Sequence, residues 1–136
     1  MDISAGYREI EHTADWELEV WAPDMQMLFE LAARGMYSLA AARLQAGPRL
    51  IRSLELTGRD PEMMLVSFLG ELLFLGVQEG IGFDAFDLQF GEHALHARLG
   101  GAPLESQDKE IKAVTYHNLA IRKTARGLEV RIVFDV

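Results

Sequence analysis

The chain contains no cysteine. That excludes disulfides, thiolate zinc centres and cysteine nucleophiles, and it suits a reducing compartment, so a cytoplasmic location is expected. Positive charge is also scarce: 13 Lys and Arg stand against 21 Asp and Glu, for a net charge of −8. A surface of that sign repels phosphate, so tight direct binding of RNA or DNA is not expected. Cations and basic proteins are the favoured partners. Residues 1–9 lack the basic cluster and apolar core of a secretory signal. The longest apolar run, Met63 to Val77, has 15 residues and includes Glu71. It falls short of the ~20 residues that span a bilayer, so it reads as a buried helix and no membrane contact is expected. No Walker motif, GxSxG or HExxH occurs.

What is present is an ordinary globular composition, 49% hydrophobic and 25% charged over 136 residues. It predicts one domain spanning residues 1–136 with a core large enough to fold unaided. Strands are predicted over Tyr7–His12 and Glu17–Ala22, the second with Leu18 and Val20 on a buried face and Glu17, Glu19 and Trp21 on a wetter one. Asp24 caps a helix whose apolar residues, from Met25 through Leu28, Phe29, Ala32 and Met36, recur at helical spacing. A strand follows over Arg49–Thr57. "GRDPE" then opens a second helix, with Asp60 as cap, Pro61 in the first turn, Glu62 at the positive end of the dipole and Gly80 as the stop. That helix is apolar around most of its circumference and is expected to be central.

The remainder reads as strands: Phe83–Phe90 and His93–Leu99 joined by a tight "GE" turn, then Ile111–Thr115, His117–Lys123 and Leu128–Val136. "GGAPLESQDKE", residues 100–110, reads as a long loop. The fold class is therefore α+β, two helices packed on largely antiparallel sheet.

The final strand, "LEVRIVFDV", puts Leu128, Val130, Ile132, Phe134 and Val136 on one face and Glu129, Arg131, Val133 and Asp135 on the other. The Asp135 side chain and the α-carboxylate of Val136 lie one peptide apart. Paired carboxylates repel unless protonated or bridged by a cation. If Asp15 folds beside them, three oxygen donors converge, which is the chemistry of Ca²⁺, Mg²⁺ or Mn²⁺. The alternative is that Asp15 caps a turn and Asp135 is a solvated strand end. His12 and His117 fit a ligand, a base or a hydrogen-bonded structural role. His93 and His96 point to opposite faces of a strand and cannot share a metal. "GIGFD" follows a helix and reads as its cap, not as a phosphate cradle. Glu71 either reaches the surface or pairs with a cation such as Lys112.

Taken together, "IEHTAD", "LFELAARGMYSL", "MLVSFLGELLFL", "KAVTYHNLAI" and "VFDV" resemble the archease family over essentially the whole chain. Gly70, where asparagine is expected, and Trp16, where a smaller aliphatic is usual, depart from the pattern. The resemblance implies a small α+β protein that serves as cofactor to an RtcB-type RNA ligase. That ligase joins 2′,3′-cyclic or 3′-phosphate RNA ends to 5′-hydroxyl ends with GTP and Mn²⁺, in tRNA splicing and RNA repair. The implied role is to promote ligase guanylylation and multiple turnover. The implied metal site is Asp15 and Asp135, with the carboxylate of Val136 as third donor. His12 and Thr13 would position Asp15, and Lys112 carries over as a functional residue, with His117 beside it. A metal-dependent phosphohydrolase using Asp15, Asp135 and His117 and a chaperone-like binding module are the alternatives.

Overall fold

The computed structural model describes residues 5–10 and 15–136. In chain order the elements are β1 (Gly6–Ile10), β2 (Trp16–Ala22), α1 (Met25–Leu39), β3 (Arg43–Leu44), β4 (Leu50–Thr57) and α2 (Pro61–Glu79). Then come β5 (Ile81–Gly91), β6 (Ala94–Ser106), β7 (Ala113–Val114), β8 (Arg122–Thr124) and β9 (Gly127–Asp135). One sheet runs β1-β2-β9-β7, with β8 also paired to β9; the other runs β3-β6-β4, with β5 paired to β6. Each pairing is antiparallel. The architecture is α+β.

The helix signals act as the sequence suggests. Asp24 accepts from the Met27 N–H at 2.8 Å and Asp60 from the Met63 N–H at 2.7 Å. Each satisfies a donor that the first turn would otherwise leave without a partner. Gly80 closes α2 with φ 65°, a conformation that glycine adopts without cost. Side chains from both helices and both sheets meet in one cluster that includes Leu18, Phe29, Phe68, Leu99, Ile132 and Phe134. At its centre the Phe29 ring lies 5.7 Å from Phe68 and meets Phe90 edge-on at 4.9 Å. Such aromatic pairs add roughly 0.5–1.5 kcal/mol beyond the area they bury.

Three expectations are corrected. The stretch from Gly100 is not a long loop: β6 continues through it to Ser106, leaving residues 107–110 outside the strand. The glycines that suggest a loop instead allow close backbone contact, because a Cβ on Gly101 would collide with the carbonyl oxygen of Gly82 on β5. The strands expected at Ile111–Thr115 and His117–Lys123 shrink to β7 and β8. Between them Leu119 N–H donates to Tyr116 C=O at 3.0 Å, and Asn118 takes φ 52°, so the chain turns there. Finally, α2 is not enclosed. It buries Met64, Leu65, Phe68, Leu69, Leu72 and Leu75. Phe74 and Val77, however, are 54% and 66% exposed. At 19 residues α2 also meets the length and composition of a membrane span, although those six side chains are committed to the core.

Candidate functional site

Alternation along β2 sends Leu18, Val20 and Ala22 into the core and Glu17, Glu19 and Trp21 to the opposite face of the sheet. Antiparallel pairing sets Glu17 against Val133, Glu19 against Arg131 and Trp21 against Glu129 on β9. This face of β2 is wetter than the one carrying Leu18, Val20 and Ala22, as expected, but only slightly: Glu17 and Glu19 are 8% and 6% exposed. Arginines cover them. Glu19 accepts from Arg8 Nε at 3.0 Å, Arg126 Nη2 at 3.2 Å and Arg131 Nη2 at 3.4 Å. Arg131 Nη1 also lies 3.6 Å from Glu17 Oε2. Arg126 reaches Glu129 and stacks 4.3 Å over the Trp21 ring. Burial pushes the Glu19 carboxyl up, but the hydrogen bond from Arg126 and the charges of Arg8 and Arg126 outweigh it and hold the group below its ordinary value.

Above this face the turn after β7 borders an open pocket of about 520 Å³, whose lining includes Asp15, Glu17, Glu19, His117, Arg122 and Arg131. Asp15 and His117, far apart in sequence, thus line one pocket. His117 is exposed; its N–H donates to Thr115 Oγ1 at 3.2 Å and its Nε2 lies 3.3 Å from Asn118 Nδ2.

Asp135 is the last residue of β9. The final pair of the β2–β9 ladder is Trp16 with Phe134, so Asp15 and Asp135 leave the sheet at the same end. On the other side of β9, Asp135 pairs with Ala113, and the Lys112 N–H donates to its carbonyl at 2.8 Å. Lys112 and Asp135 are exposed, and Val136 is half-buried against the core. Asp15, Lys112, Asp135 and Val136 therefore gather at one sheet end, while His117 joins Asp15 through the pocket. His12 and Thr13 lie outside the described residues. His93 occupies the β5–β6 turn with φ 55°, and His96 Nδ1 lies 3.4 Å from Glu55 Oε1. Glu71 is half-buried.

The chain matches the model of the Archease protein family (MTH1598/TM1083) over residues 7–136. It belongs to the archease family. Protein archease of Methanosarcina mazei is 31% identical over 96% of this chain and 95% of its own length. Protein archease of Thermococcus gammatolerans is 30% identical over 89% of this chain and 91% of its own. Among solved structures, Methanobacterium thermoautotrophicum protein 1598 superposes with a TM-score of 0.73 at 25% identity, over 98% of this chain and 100% of that one. An archease of Thermotoga maritima, described as a possible chaperone, shares the fold with a TM-score of 0.71 at 21% identity, over 95% and 96% of the two chains.

As an archease, the chain can be tested against the metal site that the resemblance implies. Asp15 and Asp135 are hard oxygen donors, the right chemistry for Ca²⁺, Mg²⁺ or Mn²⁺. Among the described residues, no three His, Asp or Glu side chains are grouped closely enough to hold an ion by themselves. These two aspartates fit in donor type and need further oxygens, from Val136, solvent or a partner.

The arginine–glutamate network was missed at the level of sequence. Its signal was present in the alternating Glu17 and Glu19 of β2 and Glu129 and Arg131 of β9. Lacking was the pairing that sets the two strands side by side.

Proposed function

We propose that this archease is a non-catalytic activator of an RtcB-type RNA ligase, promoting ligase guanylylation and multiple turnover in tRNA splicing or RNA repair. The observation that carries the reading is the shared end of β2, β9 and β7. The residues marked by the family resemblance, Asp15, Lys112 and Asp135, come together there from three separate parts of the chain. The net charge of −8 favours approach to a basic, RNA-binding enzyme rather than to its RNA.

In this reading Asp15, Asp135 and the carboxyl of Val136 hold a divalent cation, which neutralises the clustered carboxylates and presents positive charge to the partner. Lys112 and His117 flank that end as contacts to the ligase. The phosphohydrolase reading gains nothing from the pocket, since its lining includes Asp15 and His117 but not Asp135. A binding-module reading draws on the exposed apolar face of α2 and is taken up below.

The test is RNA ligation by the matching RtcB-type ligase at limiting enzyme, with wild type, Asp15→Ala or Asp135→Ala, alongside calorimetric titration of each protein with Mn²⁺ and Ca²⁺. The reading expects many turnovers with wild type, few with either variant, and weakened cation binding in both. Wild type that adds no turnovers under any divalent metal overturns it.

A further inference from the structure

The exposed side of α2 borders a groove. About 430 Å³ of space lies between the helix and the chain entering β7, with walls that include Val66, Leu73, Phe74, Val77, Ile111 and Val114. Gly70 also lines it, and a Cβ added there would meet nothing within 4 Å, so there is open space at that point. Leu73, Val77 and Ile111 continue into a second recess of about 210 Å³, bounded by Met36, Tyr37 and Leu104. Apolar surface therefore runs across α2 from one side to the other. Scattered exposed apolar side chains are normal, but a contiguous grooved patch marks a contact surface.

The second feature is the strand that forms the groove's other wall. β7 ends the order β1-β2-β9-β7, so its edge away from β9 has no strand partner among the described residues. A free strand edge beside an apolar groove, here the two-residue β7, accepts an extended peptide: the main chain pairs with the edge, and side chains settle into the groove.

We propose that this groove seats an extended apolar segment of a basic protein, added as a strand to the free edge of β7. The inference rests on the activator reading above, with the ligase as that protein. Charge selects among the occupants. A second copy would bring another −8, and an anionic membrane would be repelled, whereas a basic protein is attracted. Position agrees: Lys112 lines the groove and is hydrogen-bonded through its N–H to Asp135, so a segment seated there is held next to the metal-binding end.

Two altered proteins test the groove from opposite directions. Phe74→Ser with Val77→Ser removes its apolar rim at two exposed positions. Gly70→Trp places a large side chain in the groove's open space while improving helix propensity, so it separates blocked docking from lost stability. Each is titrated into the RtcB-type ligase, with turnover recorded from limiting to saturating concentration and self-association followed by sedimentation. The expected result is a rise of at least about tenfold in the concentration giving half-maximal activation, with wild-type turnover at saturation and, for Gly70→Trp, a melting temperature no lower than wild type. Asp135→Ala should do the reverse, lowering turnover at saturation. Half-maximal concentrations equal to wild type in both groove variants overturn the docking site and leave the activator reading intact. A wild-type dimer that both variants dissociate assigns the groove to a second copy and also overturns it. Wild type that never activates the ligase overturns the activator reading, and the docking site with it.

Discussion

The main-chain N–H of Lys112 donates to the carbonyl of Asp135 at 2.8 Å, so the two residues are joined without involving either side chain. The contributions of backbone and charge at Lys112 can therefore be separated. Lys112→Ala keeps the hydrogen bond and removes an exposed charge, so stability should change by no more than about 0.5 kcal/mol. Lys112→Pro removes the donor and should cost about 1 kcal/mol or more. Ligase activation should fall in both. Urea unfolding and turnover, measured on the same samples, check this. Full activation by Lys112→Ala would show that the ammonium group has no part in the contact.

Glu19 joins three strands and a turn through Arg8, Arg126 and Arg131. Glu19→Gln keeps the shape of the side chain but leaves those guanidinium groups facing a neutral one. The arginines are substantially exposed, which limits the cost to about 1–3 kcal/mol. Chemical denaturation should register it as a lower midpoint with unchanged cooperativity. A loss near zero would mean that solvent already compensates the arginines.

The same carboxyl makes stability sensitive to acid. Its folded pKa lies below its ordinary value, so the unfolded chain takes up the proton first as pH falls. The stabilisation is complete above the ordinary carboxylate range, near about 4.3, and is lost as pH falls through that range towards the folded value. Asp84 acts in the same direction: the hydrogen bond from Arg49 lowers its pKa against an opposing contribution from burial, but its exposure makes the effect small. Unfolding free energy measured between pH 7 and pH 3 should decline more steeply in wild type than in Glu19→Gln. Parallel profiles would remove Glu19 as the source.

Two glycines should respond oppositely to the same substitution. A Cβ at Gly101 would collide with the carbonyl oxygen of Gly82, where both neighbours are backbone and neither strand can yield. Gly101→Ala should cost about 3 kcal/mol or more. At Gly70, within α2, the added carbon meets nothing, and Gly70→Ala should gain about 0.5–1 kcal/mol. Paired thermal melts decide both. Stabilisation by Gly101→Ala would mean that β5 and β6 are not held as close as described.

Much of the fold was legible from local chemistry. Asp24, Asp60, Pro61 and Gly80 carry their meaning in their own side chains or in the lack of one: both helices begin at them, and α2 ends at Gly80. Features that depend on what lies opposite were not legible. Gly100 and Gly101 read as loop residues because sequence cannot tell a glycine that bends the chain from one that admits a neighbouring backbone. Phe74 and Val77 read as core because an apolar side chain does not announce whether a partner covers it. At the site, Asp15 and Asp135 stand out as candidate oxygen donors from their residue types and spacing, and the family resemblance supports them and marks Lys112 as functional. Glu17 and Glu19 are not legible as site residues because their burial depends on arginines as distant as Arg126 and Arg131.

Among the described residues, β9 is the only strand that joins β2 to β7 and β8. The sheet built on β3 to β6 draws on a continuous middle stretch of the chain, whereas the other needs both flanks. During synthesis β2 therefore emerges early and must wait for its neighbour until the final strand is made. An unpaired edge at that stage invites pairing with another nascent chain, and charged side chains along a strand are a standard deterrent. Glu17 and Glu19 lie along that waiting edge. Until Arg126 and Arg131 are made, only Arg8 is at hand to offset the charge that these two carboxylates place on the unfinished polypeptide.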